Sequence, residues 1–229
     1  MDYHENIDYL ERELITNENI KFKLNAYCIN LKDKIVNMKF IQDEWNDYLN
    51  IYRFEALETC TKSHNQLLSD IWNNRDTELF PIVIIEDDVF RRGNFNKYWN
   101  KLLEIDNCDY IPFDAFYLKI RPNQTGCPED FVSLLEHRAT GFTVFYKSFF
   151  ERFKTLEELQ SVLTGDIDMN FTHNEKFINY TPRTQVCRQI VSKPSMTVKD
   201  NLITNWYLDF YELAESILEN LIVYNSVKE

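Results

Sequence analysis

Pro81-Ile82-Val83-Ile84-Ile85-Glu86-Asp87-Asp88 joins an uninterrupted apolar run to three consecutive carboxylates. A short run that is apolar at every position and ends abruptly in charge reads as a strand buried on both faces, because a strand with one wet face would alternate. Such strands occupy the middle of sheets that carry helices on both sides.

The pattern alternates outward from that strand. Upstream, Leu24 to Leu31 reads as a buried strand and Asp33 as a helix cap, with Ile35, Met38, Ile41 and Trp45 following at helical spacing. Asn50 to Leu57 is a second strand, completing a βαβ unit, and a helix carrying Leu67, Leu68, Ile71 and Trp72 returns the chain to Pro81. Downstream, a helix around Phe95 to Leu103 and a strand around Ala115 to Ile120 continue the alternation. This predicts an α/β fold, Rossmann-like, with a mostly parallel central sheet and helices on both faces. Further on come a strand over Gly141 to Tyr146 and helices through Phe149 and Phe153 and from Leu156 to Leu163. Leu202, Trp206, Phe210, Leu213, Ile217 and Leu221 then fall on one helical stripe, which either packs on the domain or forms a homodimer interface. The expected organisation is an N-terminal extension over 1–20, one α/β domain over 21–200 and a C-terminal helix within 201–229.

Composition narrows the function. The 229 residues are 44% hydrophobic, enough for one large core, and contain only four glycines, at Gly93, Gly126, Gly141 and Gly165, no two of them closer than 15 positions. A dinucleotide fingerprint or a glycine-rich phosphate loop needs closely spaced glycines, so any phosphate here must be held otherwise. The net charge of −12 repels polyanions, which argues against nonspecific nucleic-acid binding and leaves an anionic ligand dependent on a cation or on a few placed basic residues. Five cysteines, odd in number and without a C-x-x-C pair, argue against a disulfide framework and a zinc site, and read as core filler in a reducing compartment. No export signal or membrane span is visible, so a cytoplasmic protein is expected.

The carboxylate triplet is the informative motif. In open α/β sheets, ligands bind outside the carboxyl ends of the strands, where Glu86-Asp87-Asp88 lies. Three adjacent carboxylates repel one another, and Mn²⁺ or Mg²⁺ relieves that repulsion while bridging to substrate phosphates. The plainer role is a solvated acidic turn with Asp88 as a helix cap.

Other segments, taken in order, resemble glycosyltransferase family 25, the lipooligosaccharide and collagen galactosyltransferases. The likeness rests on Ile29-Asn30-Leu31, Arg53-Phe54-Glu55-Ala56, Ser63-His64, Glu86-Asp87-Asp88-Val89, Ala139-Thr140-Gly141-Phe142, Gly165-Asp166-Ile167-Asp168, and Pro182 with Gln185, spanning residues 24 to 190. It implies a GT-A fold, a nucleotide-diphosphate sugar donor, most simply a UDP-sugar, a glycan acceptor and metal-dependent transfer. The triplet then corresponds to the D-x-D motif, with Asp88 on the metal, Glu86 on the ribose or a metal-bound water, and Asp87 beside the donor. A family aspartate falls at Asp166 or Asp168; in an inverting transfer it is the base that takes the acceptor hydroxyl's proton, although N-capping is an ordinary alternative for either. His173 is the candidate late metal ligand by the same resemblance, against a plain surface histidine. Tyr27 and Asn30 lie where GT-A folds hold the nucleotide base. Small free-standing relatives of this kind are familiar from large DNA viruses, which suits the Asn-, Ile- and Lys-rich composition and would place the enzyme in host cytoplasm.

Chemistry alone suggests roles for four residues. Arg53 and Arg183 are diphosphate candidates because a guanidinium reads phosphate bidentately, although surface ion pairing is the default for both. Gly141 would permit close backbone approach. His64 either contacts the donor or positions the triplet, or it is a buried structural histidine. Two other functions share such a fold: a nucleotidyltransferase, whose glycine- and lysine-rich loop is missing, and a non-catalytic glycan- or partner-binding module.

Overall fold

The computed structural model describes residues 19–121, 126–138, 141–163, 177–189 and 212–218. Its first half is a repeating β-α-β: β1 (Leu24–Asn30), α1 (Ile35–Trp45), β2 (Leu49–Glu55), α2 (Cys60–Asn74) and β3 (Ile82–Glu86). Both β2 and β3 pair with β1 in parallel, so the chain steps to one side of β1 and then crosses to the other.

The apolar run behaves as its composition requires. Ile82 and Ile84 enter one core, with Leu67, Leu68 and Ile71 of α2. Val83 and Ile85 enter the other, with Met38, Ile41 and Trp45 of α1. All four are fully buried, and at about 1.5–3 kcal/mol for each side chain this strand is a large part of what holds the two layers on the sheet. One expected detail differs: α1 is preceded by Lys34 with no side-chain cap, so Asp33 does not cap it. The side of α1 toward Ile35 is open, with Ile35 71% exposed.

After β3 come β4 (Val89–Arg91), α3 (Phe95–Trp99), a 3-10 turn (Leu102–Glu104), β5 (Tyr110–Pro112), β6 (Phe116–Ile120), β7 (Phe131–Arg138), β8 (Phe142–Phe145), α4 (Lys147–Glu151), α5 (Leu156–Val162), β9 (Tyr180–Pro182) and β10 (Cys187–Gln189). The central sheet runs β2-β1-β3-β8-β5, with β8 antiparallel to both β3 and β5. The sheet is therefore mixed, and the mostly parallel expectation holds only for its β2-β1-β3 half. The strand around Ala115 to Ile120 does not extend this sheet; as β6 it joins β7 and β9 in a separate three-stranded antiparallel sheet, while β4 and β10 form a ribbon.

A cluster of aromatic rings seals one face. Trp45, Tyr48, Phe95, Trp99 and Phe142 meet with centroid separations of 4.7 to 6.4 Å, and the Trp45 indole donates to the Val89 carbonyl at 3.0 Å. That bond ties α1 to the chain just after the acidic triplet. Residues 212–218 are helical, as α6, with Ala214 and Leu218 buried. The expected stripe through Leu213 and Ile217 is thus turned by one residue, leaving Leu213 49% exposed. Glu215 fixes that rotation through ion pairs to Arg92 (2.6 Å) and Arg188 (2.9 Å). The N-terminal extension through residue 18 and the other stripe residues lie outside the described segments. Among the described residues no helix is long and apolar enough to cross a membrane.

Candidate functional site

The step from β2 across β1 to β3 makes the β1/β3 boundary a topological switch point, the place beyond the strand ends where open α/β sheets bind their ligands. Asn30 ends β1 and Glu86 ends β3, so the site is built from the last residue of each strand and the turn that follows.

Asn30 organises the β1 side. Fully buried, it donates from Nδ2 to Asp87 Oδ2 at 2.6 Å and to the Lys34 carbonyl at 3.0 Å, and its Oδ1 accepts from Arg53 Nε at 2.8 Å. Arg53 Nη2 also donates to the carbonyls of Leu31 (3.0 Å) and Lys32 (3.2 Å), so its guanidinium clasps the β1 exit loop. Tyr27 is engaged elsewhere: its hydroxyl donates to Glu78 Oε2 at 2.7 Å, and burial with that carboxylate pushes its pKa up to about 12.

The three consecutive carboxylates have three different sets of partners. Glu86 turns toward α2, with Oε1 3.4 Å from Cys60 Sγ and 3.7 Å from His64 Nε2, while Oε2 accepts from Gln189 Nε2 at 3.0 Å. Asp87 faces Asn30 and Asn37; burial raises its pKa against the opposing pull of those hydrogen bonds. Asp88 points inward. Its Oδ1 is buried and has no hydrogen-bond partner, although the residue as a whole is half-buried, and its pKa stands well above the usual carboxylate range, chiefly through desolvation and then through the charges of Glu86 and Asp87, against a hydrogen bond from its own backbone amide. A buried carboxylate oxygen in that state needs either a proton or a cation, and an oxygen-only donor suits Mn²⁺ or Mg²⁺. The charge of the triplet is felt nearby, since it raises the Cys28 thiol pKa further after burial has done most of the work.

Gly141 closes the site from the β8 side. Its carbonyl accepts from the Glu86 amide at 2.8 Å, and a Cβ there would meet Asp114 Oδ2 at 2.6 Å, Gln189 Nε2 at 2.8 Å and Val89 Cγ2 at 2.9 Å. The glycine is what lets the Asp114 carboxylate and the Gln189 amide lie against the β8 backbone. Asp114 and Gln189 had no signal in the sequence. They lie beyond motif range of the triplet, and only the approach of β10 to β4 and of residues 113–115 to Phe142 brings them in. Cys60 did have one, a C-x-x-x-H spacing with His64 at a helix start. Arg183 donates to the Glu129 carbonyl, on the β7 entry rather than among these groups. Asp166, Asp168 and His173 lie outside the described residues.

Comparison with known proteins adds little. No family model matches the chain, and no curated protein matches it. Among solved structures, the crystal structure of A197 from STIV aligns over 70% of this chain and 81% of that chain at 16% sequence identity, with a TM-score of 0.47. So loose a superposition transfers neither a fold name nor a function.

Proposed function

We propose that the chain is a metal-dependent glycosyltransferase of the GT-A type, moving a sugar from a nucleotide-diphosphate donor, most simply a UDP-sugar, to a glycan hydroxyl. The observation that carries the reading is the placement of Glu86-Asp87-Asp88 at the β1/β3 switch point, with Asp88 Oδ1 buried and without a hydrogen-bond partner. The order and spacing of the segments that resemble glycosyltransferase family 25 support the same choice.

In this reading Asp88, with Glu86 or a water on it, holds Mn²⁺ or Mg²⁺, whose charge offsets that of the departing diphosphate. Asn30 holds Asp87 in place and orients the β1 exit loop through Arg53, shaping the wall against which the nucleotide lies. Gly141 keeps the opposite wall thin, so that the Asp114 carboxylate can face the donor sugar. An inverting transfer needs a base to accept the acceptor hydroxyl's proton, and Asp166 or Asp168 is proposed for it.

The test is a thermal-shift and calorimetric screen of UDP, GDP and their sugars with and without Mn²⁺. Binding that requires the metal and disappears in Asp88→Ala is expected. Absence of nucleotide binding, or metal-dependent binding that survives Asp88→Ala, removes the proposal. Asp166→Asn and Asp168→Asn are then compared, and one of them should abolish transfer while retaining donor binding.

A further inference from the structure

The first turn of α2 and the end of β3 bring a thiol, an imidazole and a carboxylate together. Cys60 is the first residue of α2 and His64 lies one turn on, so both side chains leave the same face of the helix. Cys60 Sγ is 3.4 Å from His64 Nδ1 and 3.4 Å from Glu86 Oε1, and His64 Nε2 is 3.7 Å from the same Oε1. One ligand atom from each of the three residues lies within 4.8 Å of the other two.

His64 Nδ1 also sits 3.1 Å from the Cys60 carbonyl, which can only accept, so a hydrogen bond there needs the proton on Nδ1. In the neutral ring the lone pair is then on Nε2, 3.7 Å from Glu86 Oε1, where a cation would engage both acceptors; in the doubly protonated ring Nε2 donates to that carboxylate instead. The backbone carbonyl in turn fixes the ring orientation in the way that outer-shell partners of metal-bound histidines do. For tetrahedral zinc, with bonds of about 2.3 Å to sulfur and about 2.0–2.2 Å to nitrogen and oxygen, ligand atoms stand roughly 3.3–3.6 Å apart. The separations of 3.4 Å from Sγ to Oε1 and 3.7 Å from Nε2 to Oε1 lie in or beside that range, and rotation of the half-buried Cys60 side chain is the movement that would bring Sγ toward Nε2.

We propose that Cys60, His64 and Glu86 form a binding site for a borderline-soft divalent cation, Zn²⁺ in the first instance, with three protein ligands and a fourth position open to water or substrate. Thiolate and imidazole donors select zinc or cobalt over magnesium or manganese, so the site differs in kind from the oxygen-donor role proposed for Asp88. On binding, the Cys60 thiol loses its proton to solvent and the sulfur supplies the electron pair of the metal bond. The site shares Glu86 with the transferase reading but does not depend on it.

The test titrates the chelator-treated full chain with Co²⁺ alone, then with Zn²⁺ in competition with a chromophoric chelator. One equivalent of Co²⁺ should produce tetrahedral visible bands and a thiolate-to-cobalt charge-transfer band, and Zn²⁺ should displace it. Cys60→Ser, a small change beside an intact Thr59 cap, should remove the charge-transfer band. It should weaken Zn²⁺ by more than the roughly 10–100-fold that loss of an outer-shell partner costs. Asp88→Asn should leave the band in place. A cobalt complex without a thiolate band, or equal Zn²⁺ affinity in wild type and Cys60→Ser, overturns the proposal. If the band is present but no nucleotide sugar binds, the metal site stands and the transferase reading falls.

Discussion

At Gly141 a single methyl group has nowhere to go. The atoms it would meet at 2.6 to 2.9 Å belong to the buried Asp114, the fully buried Val89 and the Gln189 amide that bonds Glu86, so making room disturbs the site as well as the packing. Gly141→Ala should therefore cost about 1–3 kcal/mol in denaturant unfolding, the range for overpacking a filled site; an unchanged midpoint would mean the contact relaxes freely. Asp88 makes the opposite kind of prediction. Because its folded pKa is raised, the folded chain holds that proton to higher pH than the unfolded chain does, for which the value is about 3.9. The group's contribution to stability accordingly falls as pH rises from about 3.9 through the folded value, and beyond it stays at its minimum. Asp88→Asn should raise the Tm at neutral pH by at least about 2 °C, equivalent to roughly 1 kcal/mol in a chain of this size, and flatten the pH dependence. A lower Tm, or a gain equally large at pH 4, would show that burial of the Asp88 charge is not what penalises the fold.

Among the elements, α2 matters most because it both covers one face of β3 and delivers Cys60 and His64. Its start is set by Thr59, whose hydroxyl accepts from the Lys62 amide at 3.1 Å. Thr59→Ala should cost about 0.5–2 kcal/mol and loosen the first turn; if that turn holds a cation, Zn²⁺ affinity should fall in the same variant without loss of any ligand. The helix and the strands it links were legible in sequence because periodicity reports burial: Leu67, Leu68 and Ile71 recur on one face, and the Pro81 to Ile85 run is apolar because both its faces are covered. Strand direction was not legible. Phe142 to Phe145 is apolar in either orientation, and only the register with Ile82 to Ile85 shows it to be antiparallel. Very short pieces such as β4, β5 and β10 were missed for a related reason, since three residues are too few to show a period. The triplet was legible because charge at the end of an apolar strand is locally anomalous, whereas Asp114, Gln189 and the separate partners of the three carboxylates are products of tertiary packing.

The whole molecule imposes its own condition on any anionic ligand. With a net charge of −12, the protein repels a nucleotide diphosphate at distance, and Arg53, one of the basic residues at the β1 exit with Lys32 and Lys34, commits its Nε and Nη2 to Asn30, Leu31 and Lys32. If a cation on the carboxylates is what reverses the local field, salt should act with opposite sign in its presence and absence. Raising ionic strength from about 0.01 to 0.1 M shortens the screening length from about 30 to 10 Å, which mainly removes the long-range repulsion. Residual UDP binding without divalent metal should therefore strengthen. With saturating Mn²⁺ the attraction between the bound cation and the diphosphate dominates, and the same change in salt should weaken binding. Equilibrium dialysis of UDP at the two ionic strengths, with Mn²⁺ and with chelator, reads both slopes. A fall with salt in both series would mean that basic side chains hold the phosphates and that the acidic triplet is not their cradle.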